Sequence, residues 1–417
     1  MSKYLVKGGE KLFGSVRVSG SKNASLPILC ASLLTDQKSV IKNVPDIADI
    51  HSLIHILNEI GCAVSFENNT VTVDPSNFKY KYISQDKVCR MRASILLIGP
   101  MLARFNKVKM TFPGGCILGK RPIDTHIKAI QQLHAKIIDD KRDIHIKTEG
   151  LKGADIVMNE ISVTATENVI MAAVLAKGTT KIHLAAAEPH VQDLCRFLNK
   201  MGASISGIGT HDITIKGVNS LKGCEYKVTG DYLEAGTFAI AAALTNGEIE
   251  IKGINPDHLT SFWQKLGETG VNYTIGKSSV VIHPHKTLKP VRKLRTAVYP
   301  SFPTDLQAPF AVLLTQAKGV SKIYETLFEG RLNYLFELEK MGAKFEILNP
   351  HQAIILGPTK LHGVPISSWD IRAGAAMVLA ALAAKGTTEI SNVGFIDRGY
   401  ENLESKLKKL GALIERK

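Results

Sequence analysis

The chain is 417 residues long and reads as six copies of one unit, and this repetition limits its fold more than any other feature. In each copy a short apolar strand, a loop and a helix lead into a Gly-Ala-like pair and a further strand. The pairs are Gly61-Cys62, His134-Ala135, Gly202-Ala203, Gly270-Val271, Gly342-Ala343 and Gly411-Ala412. Successive pairs lie 73, 68, 68, 72 and 69 residues apart, a period near 70. Such a unit cannot bury its apolar face alone and must stack on its neighbours. Equivalent loops then occupy equivalent positions, so a loop that breaks the pattern points to function.

Residues 162–205 show the grammar. The sequence predicts an alanine-rich helix through 176, a turn at 177–180, a strand at 181–184, a loop at 185–190 and a second helix at 191–201. Leu194, Phe197 and Leu198 fall at helical spacing, and Gly202 supplies the left-handed residue that ends the helix. The last copy repeats this, with a helix at 373–384, a strand to 393, a loop at 394–399 and a helix ending before Gly411. Helices as rich in alanine as those at 172–173, 239–243 and 373–384 suit close backbone packing, so they are expected as buried inner helices with sheets outside. Six units can form one solenoid or two closed groups of three with a break near 228–231. Neither end carries a polar capping repeat, which favours closure.

Hydrophobic residues make up 45% of the chain and mean hydropathy is +0.04, as in a globular protein with real cores. Residues 1–9 hold no apolar stretch of signal-peptide length, and the alanine-rich run after Arg372 is too short to span a membrane. A cytoplasmic enzyme with no membrane partner is the expectation. The net charge of +14 attracts anions. Nucleic acid, a membrane surface and phosphorylated metabolites all fit that sign, but the lysines are scattered over helix surfaces and turns, without a basic strand interleaved with aromatics, so solvated faces explain most of the charge. Six cysteines without a C-x-x-C pair exclude a zinc ribbon or disulfide framework, and most are expected as small buried apolar residues. His283-Pro284-His285 reads as a solvated turn, and neither a metal nor a cofactor is indicated.

The loop at 111–124 departs most from the repeat. Its three glycines and two prolines suit an active-site lid, and Cys116 lies within it, five residues before Arg121. Backbone amides, Lys120 and Arg121 would stabilise a thiolate there, giving an acid, base or nucleophile; the alternative is an incidental loop cysteine. Lys22, Arg92 and Arg372 each begin an inner helix, against the macrodipole preference unless an anion is bound. Arg331 and Arg398 stand in loops whose counterparts are apolar or small. Any one of these cations fits a surface ion pair, but together, on equivalent ends of a repeated fold, they suggest an anion-binding cleft. Arginine suits planar recognition of carboxylate and phosphate, each desolvated contact contributing about 1.5–3 kcal/mol. Asp305, in Ser301-Phe302-Pro303-Thr304-Asp305-Leu306, reads either as a fixed carboxylate for a hydroxyl or as the N-cap of the next helix.

These residues fall in motifs that resemble the enolpyruvyl transferases over essentially the whole chain, on the branch that acts on a nucleotide sugar. The resemblance is carried by Gly20-Ser21-Lys22-Asn23-Ala24, Met91-Arg92-Ala93-Ser94, Pro113-Gly114-Gly115-Cys116 through Gly119-Lys120-Arg121-Pro122, Phe302-Pro303-Thr304-Asp305, Asp370-Ile371-Arg372-Ala373 and Ile396-Asp397-Arg398-Gly399-Tyr400-Glu401. The related 5-enolpyruvylshikimate-3-phosphate synthases typically carry an Asn-Ala-Gly-Thr motif absent here, and lack the Gly-Gly-Cys lid.

The resemblance implies an α/β fold, a two-domain inside-out α/β barrel in which each domain has three βαβαββ repeats around buried inner helices. Domain I would span 21–230, domain II 1–20 plus 231–417, with a hinge near 20–22 and 229–231. It implies transfer of the enolpyruvyl group of phosphoenolpyruvate to the 3-hydroxyl of UDP-N-acetylglucosamine, with phosphate released, and a monomer or weak homo-oligomer. By the same resemblance Cys116 is the general acid at the methylene carbon and the thiol that forms a covalent adduct. Lys22, Arg121 and Arg398 hold the phosphate of phosphoenolpyruvate, Arg331 and Arg372 its carboxylate, Asn23 is a further contact to it, and Asp305 orients the sugar hydroxyl and takes its proton. Asn23, Arg92, Arg121, Pro122, Ile123, Asp124, Thr125, Ser162, Val163, Asp305 and Leu327 correspond to the nucleotide-sugar contacts. The chain departs from the family pattern at Glu160, where a lysine is common, and at Thr164 and Tyr232, where glycine and arginine are common.

Overall fold

The computed structural model describes residues 2–83, 91–112, 123–138 and 143–417. The chain divides into two compact units, one holding Met1–Ser19 and Gly230–Lys417, the other running from Gly20 to Thr229. Each unit has its own core.

Among the described residues there are six sheets, five of them four-stranded and the second three-stranded. In the third repeat, Asp155–Val157 lies parallel to Thr179–His183, which pairs antiparallel with Asp212–Lys216, itself antiparallel to Ser204–Ser206. The helix Pro189–Lys200 links the second strand to the hairpin. The fourth and fifth repeats use the same order, from Phe13–Arg17 beside Glu248–Lys252 and from Leu294–Arg295 beside Gly319–Tyr324. The predicted helix ends are found. Gly61, Gly202, Gly270, Gly342 and Gly411 adopt φ between +83° and +104°, and His134 takes the same role at 64°. A left-handed residue here lets the chain leave the helix and enter the next strand, and glycine does so without a Cβ clash.

Each unit closes on itself. The first repeat of the 20–229 unit, Ser39–Lys42 with Ala63–Glu67 and Thr70–Asp74, is completed by Glu225–Lys227 from the other end of that unit. In the other unit Phe13–Arg17 completes the fourth repeat, and Tyr4–Lys7 inserts between Thr387–Ser391 and Leu413–Arg416 to complete the sixth. Strands borrowed from the far end of each unit leave no open repeat end, which decides for closure over a solenoid.

The inner helices are α1 (Lys22–Ala31), α2 (Ile98–Phe105), α3 (Val163–Ala173), α4 (Tyr232–Leu244), α5 (Gln307–Thr315) and α6 (Ile371–Ala383). They are apolar nearly all round, as helices enclosed by other elements must be. Small residues permit the close approach. A Cβ on Gly99 of α2 would lie 2.6 Å from the Asn168 carbonyl of α3, and one on Gly374 of α6 would lie 2.7 Å from Ile396 Cγ1. Asn168 also spans the two helices, its Oδ1 accepting from Gly99 N at 2.8 Å and its Nδ2 donating to Ile95 O at 3.0 Å.

Three local expectations change. Residues 394–399 are mostly a 3-10 helix, Val393–Arg398, and not an irregular loop. The last inner helix begins at Ile371, so Arg372 lies within its first turn. His283 ends the strand Ser279–His283 and meets Thr274 and Glu248, while His285 Nε2 contacts the Ala243 carbonyl, so the pair is not a free turn. Cys30, Cys62 and Cys195 are buried and Cys224 is partly buried, as expected; Cys89 and Cys116 lie outside the described residues.

Candidate active site

In the 20–229 unit, Ser21 caps α1, its hydroxyl accepting from Ala24 N at 3.3 Å, and so places Lys22 at the first helical position. Asn23 follows, partly buried. The ammonium of Lys22 lies 2.6 Å from Asp49 Oδ2, with side-chain exposures of 9% and 8%. Asp49 stands in the first turn of the helix Ala48–Glu59. The anion expected to offset a cation at this helix start is therefore supplied, in this state, by the protein itself.

Arg92 opens the 3-10 helix Arg92–Leu97, which packs against α1. Burial first, then the charge of Arg92, depresses the His126 pKa from 6.5 to about 4. His126 Nε2 contacts Thr164 Oγ1 at 2.9 Å, and the Thr125 hydroxyl donates to Glu160 Oε1 at 3.0 Å. Both unusual residues, Glu160 and Thr164, thus bind consecutive residues of the helix Asp124–Gln132. Ile123 is the N-cap residue of that helix, Asp124 is exposed, and Ser162 and Val163 form the start of α3. The structure brings Arg92, the 123–126 segment and the 160–164 segment together. Cys116, Lys120, Arg121 and Pro122 lie outside the described residues.

In the other unit the central group is Asp305, on the 3-10 turn Thr304–Leu306. Arg331 Nη1 donates to its Oδ1 at 2.7 Å and Arg372 Nε to its Oδ2 at 3.1 Å. Asp305 is therefore not an N-cap; Leu306 stands at the cap of α5. Both arginines are nearly enclosed, with side-chain exposures of 7%, against 26% for Asp305. Phe328 supports Arg331, its ring 4.9 Å from the guanidinium carbon, and Tyr400 supports Arg372 at 5.2 Å. Burial opposes the charge on Arg372, but Tyr400, Asp305 and Asp231 together outweigh it and raise its pKa. Arg331 Nε and Arg372 Nη1 are buried without a hydrogen-bond partner among the described residues. A buried guanidinium donor left unmatched is costly, and an incoming planar carboxylate can accept from it.

Asp370 holds the start of α6, accepting from Arg372 N at 2.7 Å and Ala373 N at 2.9 Å. Leu327, 39% exposed, is positioned by Glu325, whose Oε1 accepts from Leu327 N at 3.0 Å and Phe328 N at 3.3 Å. Thr304 Oγ1 donates to the other Glu325 oxygen at 2.8 Å and receives Arg331 Nη1 at 3.3 Å. Arg398 closes the 3-10 helix packed on α6, two residues before Tyr400. Tyr232, the third departure, is buried at the start of α4, edge-on to His258. Sequence reasoning passed over Asp49, Glu325 and the support given by Tyr400. Only Tyr400 carried a signal, since it lies in the quoted motif at 396–401. Among the described residues, no group of His, Cys, Asp and Glu could hold a metal, and no helix is long and apolar enough to cross a membrane.

Comparison with known proteins agrees with this geometry. The family described as EPSP synthase (3-phosphoshikimate 1-carboxyvinyltransferase) matches residues 6–407. The chain is 46% identical over 417 residues to UDP-N-acetylglucosamine 1-carboxyvinyltransferase of Campylobacter fetus, covering 99% of this chain and 98% of the relative. It is 41% identical over 423 residues to the enzyme of that name from Borreliella burgdorferi, covering 100% and 99%. Among solved structures, the enolpyruvyl transferase NikO from Streptomyces tendae superposes with a TM-score of 0.90 at 25% identity, covering 100% of this chain and 98% of that one. The architecture is that of the two-domain inside-out α/β barrel, and the chain belongs to the enolpyruvyl transferase family, among relatives named UDP-N-acetylglucosamine 1-carboxyvinyltransferase.

Proposed function

We propose that the chain transfers the enolpyruvyl group of phosphoenolpyruvate to the 3-hydroxyl of UDP-N-acetylglucosamine and releases phosphate, the first committed step of peptidoglycan precursor synthesis. The observation that carries the site is the Asp305 carboxylate between Arg331 and Arg372, both with a buried donor to spare. Full-length relatives bearing the name of this activity support the substrate pair. The shikimate-directed alternative is not favoured, since the EPSP synthase structures are 19% identical and share the fold.

In this reading Cys116 protonates the methylene carbon of phosphoenolpyruvate, and C2 becomes electrophilic. The sugar 3-hydroxyl bonds to C2 as Asp305 takes its proton. Arg331 and Arg372 hold the carboxylate, and Lys22, Arg121 and Arg398 the phosphate, of a tetrahedral intermediate whose charge they stabilise, with Asn23 a further contact to phosphoenolpyruvate. The C2–O bond to phosphate then breaks, a proton leaves the methyl carbon, and the enol ether remains. Arg92, the 121–125 segment, Ser162, Val163, Asn23, Asp305 and Leu327 receive the nucleotide sugar. The enzyme works in the cytoplasm as a monomer or weak homo-oligomer on small-molecule substrates.

Purified protein given both substrates is expected to release phosphate, and to release none when shikimate 3-phosphate replaces the nucleotide sugar. The opposite pattern refutes the assignment. Arg398→Ala is expected to raise the KM for phosphoenolpyruvate at least about tenfold, as loss of a charged contact implies.

A further inference from the structure

We infer that Arg416 is a positioning residue for Arg398, holding the segment that presents this guanidinium to phosphoenolpyruvate. The inference rests on the reading of Arg398 given above. Arg398 ends the 3-10 helix Val393–Arg398, and the residues on both sides of it are tied down. On the far side, Tyr400 OH lies 3.0 Å from Thr237 Oγ1. Glu401 accepts from Ser19 Oγ, which also receives Lys406 Nζ at 2.6 Å. Lys406 in turn donates at 2.5 Å to Glu234, which is buried in α4. On the near side, Asp397 accepts both arms of the Arg416 fork, Nη1 to Oδ1 at 2.9 Å and Nη2 to Oδ2 at 2.5 Å.

Arg416 is itself held in place before it grips Asp397. The register of Tyr4–Lys7 against Leu413–Arg416 sets Arg416 directly opposite Tyr4, and its guanidinium carbon lies 5.6 Å from the Tyr4 ring centroid. The Tyr4 hydroxyl donates to Glu404 at 3.0 Å, and Lys3 and Lys417 exchange backbone hydrogen bonds of 2.8 and 2.9 Å at the end of the pair. A planar fork fixes the rotation of the carboxylate it holds as well as its distance, which an ammonium cannot do. One peptide separates that carboxylate from the residue expected to bind phosphate.

A pair with side-chain exposures of 37% and 32% adds little to global stability. Orientation near a charged substrate is far more sensitive, because a misplacement of about 1 Å can cost up to about a hundredfold. Arg416 should therefore act on substrate binding and hardly on folding. The fork lies over Tyr4, on the face of the sixth sheet that also carries Ile414, and no role of its own in binding is needed to explain it.

Arg416→Met and Asp397→Asn, alone and together in the full chain, test this by steady-state kinetics and thermal denaturation. Each single variant is expected to raise the KM for phosphoenolpyruvate about fivefold, with kcat within about twofold and the KM for the nucleotide sugar unchanged. Melting temperatures should fall by less than about 2 °C. The double variant should be no worse than the poorer single one, and Arg416→Lys should restore only part of the loss. An unchanged KM for phosphoenolpyruvate, or an equal rise for both substrates with a large drop in melting temperature, overturns the inference. Arg398→Ala separates the two levels: if it leaves that KM unaltered, the reading of Arg398 fails, whereas a rise in Arg398→Ala without one in Arg416→Met sinks the positioning role alone.

Discussion

Lys22 and Asp49 form an ion pair of 2.6 Å in which both side chains are about nine-tenths buried. Removing one partner of such a pair is expected to cost on the order of 3 kcal/mol, because desolvation of the remaining charge is no longer offset by this contact. Asp49→Asn should therefore lower the melting temperature in the absence of ligand. Inorganic phosphate or phosphoenolpyruvate should raise it more in the variant than in the parent, since the anion replaces the lost carboxylate. Equal shifts in differential scanning fluorimetry would show that Asp49 and the ligand do not share the ammonium.

Asp305 sits between two guanidinium groups, and in the proposed reaction it takes the sugar hydroxyl proton. Asp305→Asn keeps the shape but loses the charge and the capacity to accept that proton. Turnover is expected to fall by about a hundredfold or more, a typical general-base contribution. A kcat within about threefold of the parent would exclude the role.

Cys116 lies in the sequence beside Lys120 and Arg121, a setting that favours thiolate. Fosfomycin, a small epoxide, is expected to inactivate the enzyme, and intact-mass and peptide analysis should place one adduct on Cys116. Cys116→Ser should lose turnover and escape labelling. Adducts elsewhere with activity preserved would count against the assignment.

Glu167, on α3, is fully enclosed, and burial followed by the nearby charge of Glu188 raises its pKa well above 4.5. The unfolded chain ionises this group near pH 4.5 while the folded chain retains the proton, so the cost to folding is absent below that pH and grows above it. Glu167→Gln removes the ionisation. Its stability gain in urea denaturation is expected to increase from pH 4.5 to pH 8, and a gain independent of pH would contradict the burial argument.

His126 shows the opposite case. With a pKa near 4 in the folded chain against 6.5 normally, it stays neutral when folded and takes a proton when unfolded. Stability from this group is complete above pH 6.5 and is lost as pH falls toward 4, by up to about 3 kcal/mol. His126→Asn should flatten the acid limb of the stability profile between those limits. A limb of unchanged steepness would assign acid sensitivity to other groups.

Much of the site was legible because its residues break a repeated background. Asp305 and Arg331 stood out in the fifth copy and Arg372 in the sixth, and the structure joins them in one cluster. Their pairing was not legible, since Arg331 and Arg372 lie 26 and 67 residues from Asp305 and nothing local selects one carboxylate for two arginines. Asp49 was missed for the same reason. It looks like an ordinary acidic residue in the first turn of a helix, and only the packing of that helix against α1 makes it the partner of Lys22.

The sequence by itself determined the six repeats, their helix ends and the buried alanine-rich helices. These depend on short-range terms: apolar periodicity, side-chain volume and the φ > 0 that glycine accepts. Tertiary structure decided how the repeats close and which charges meet. Tyr4–Lys7 completes the sixth sheet across nearly the whole length of the chain, and the ion pairs of Lys22, Asp305 and Arg416 join elements that only packing brings together. Burial sets the strength of those pairs, and burial belongs to the assembled unit and to no segment of it.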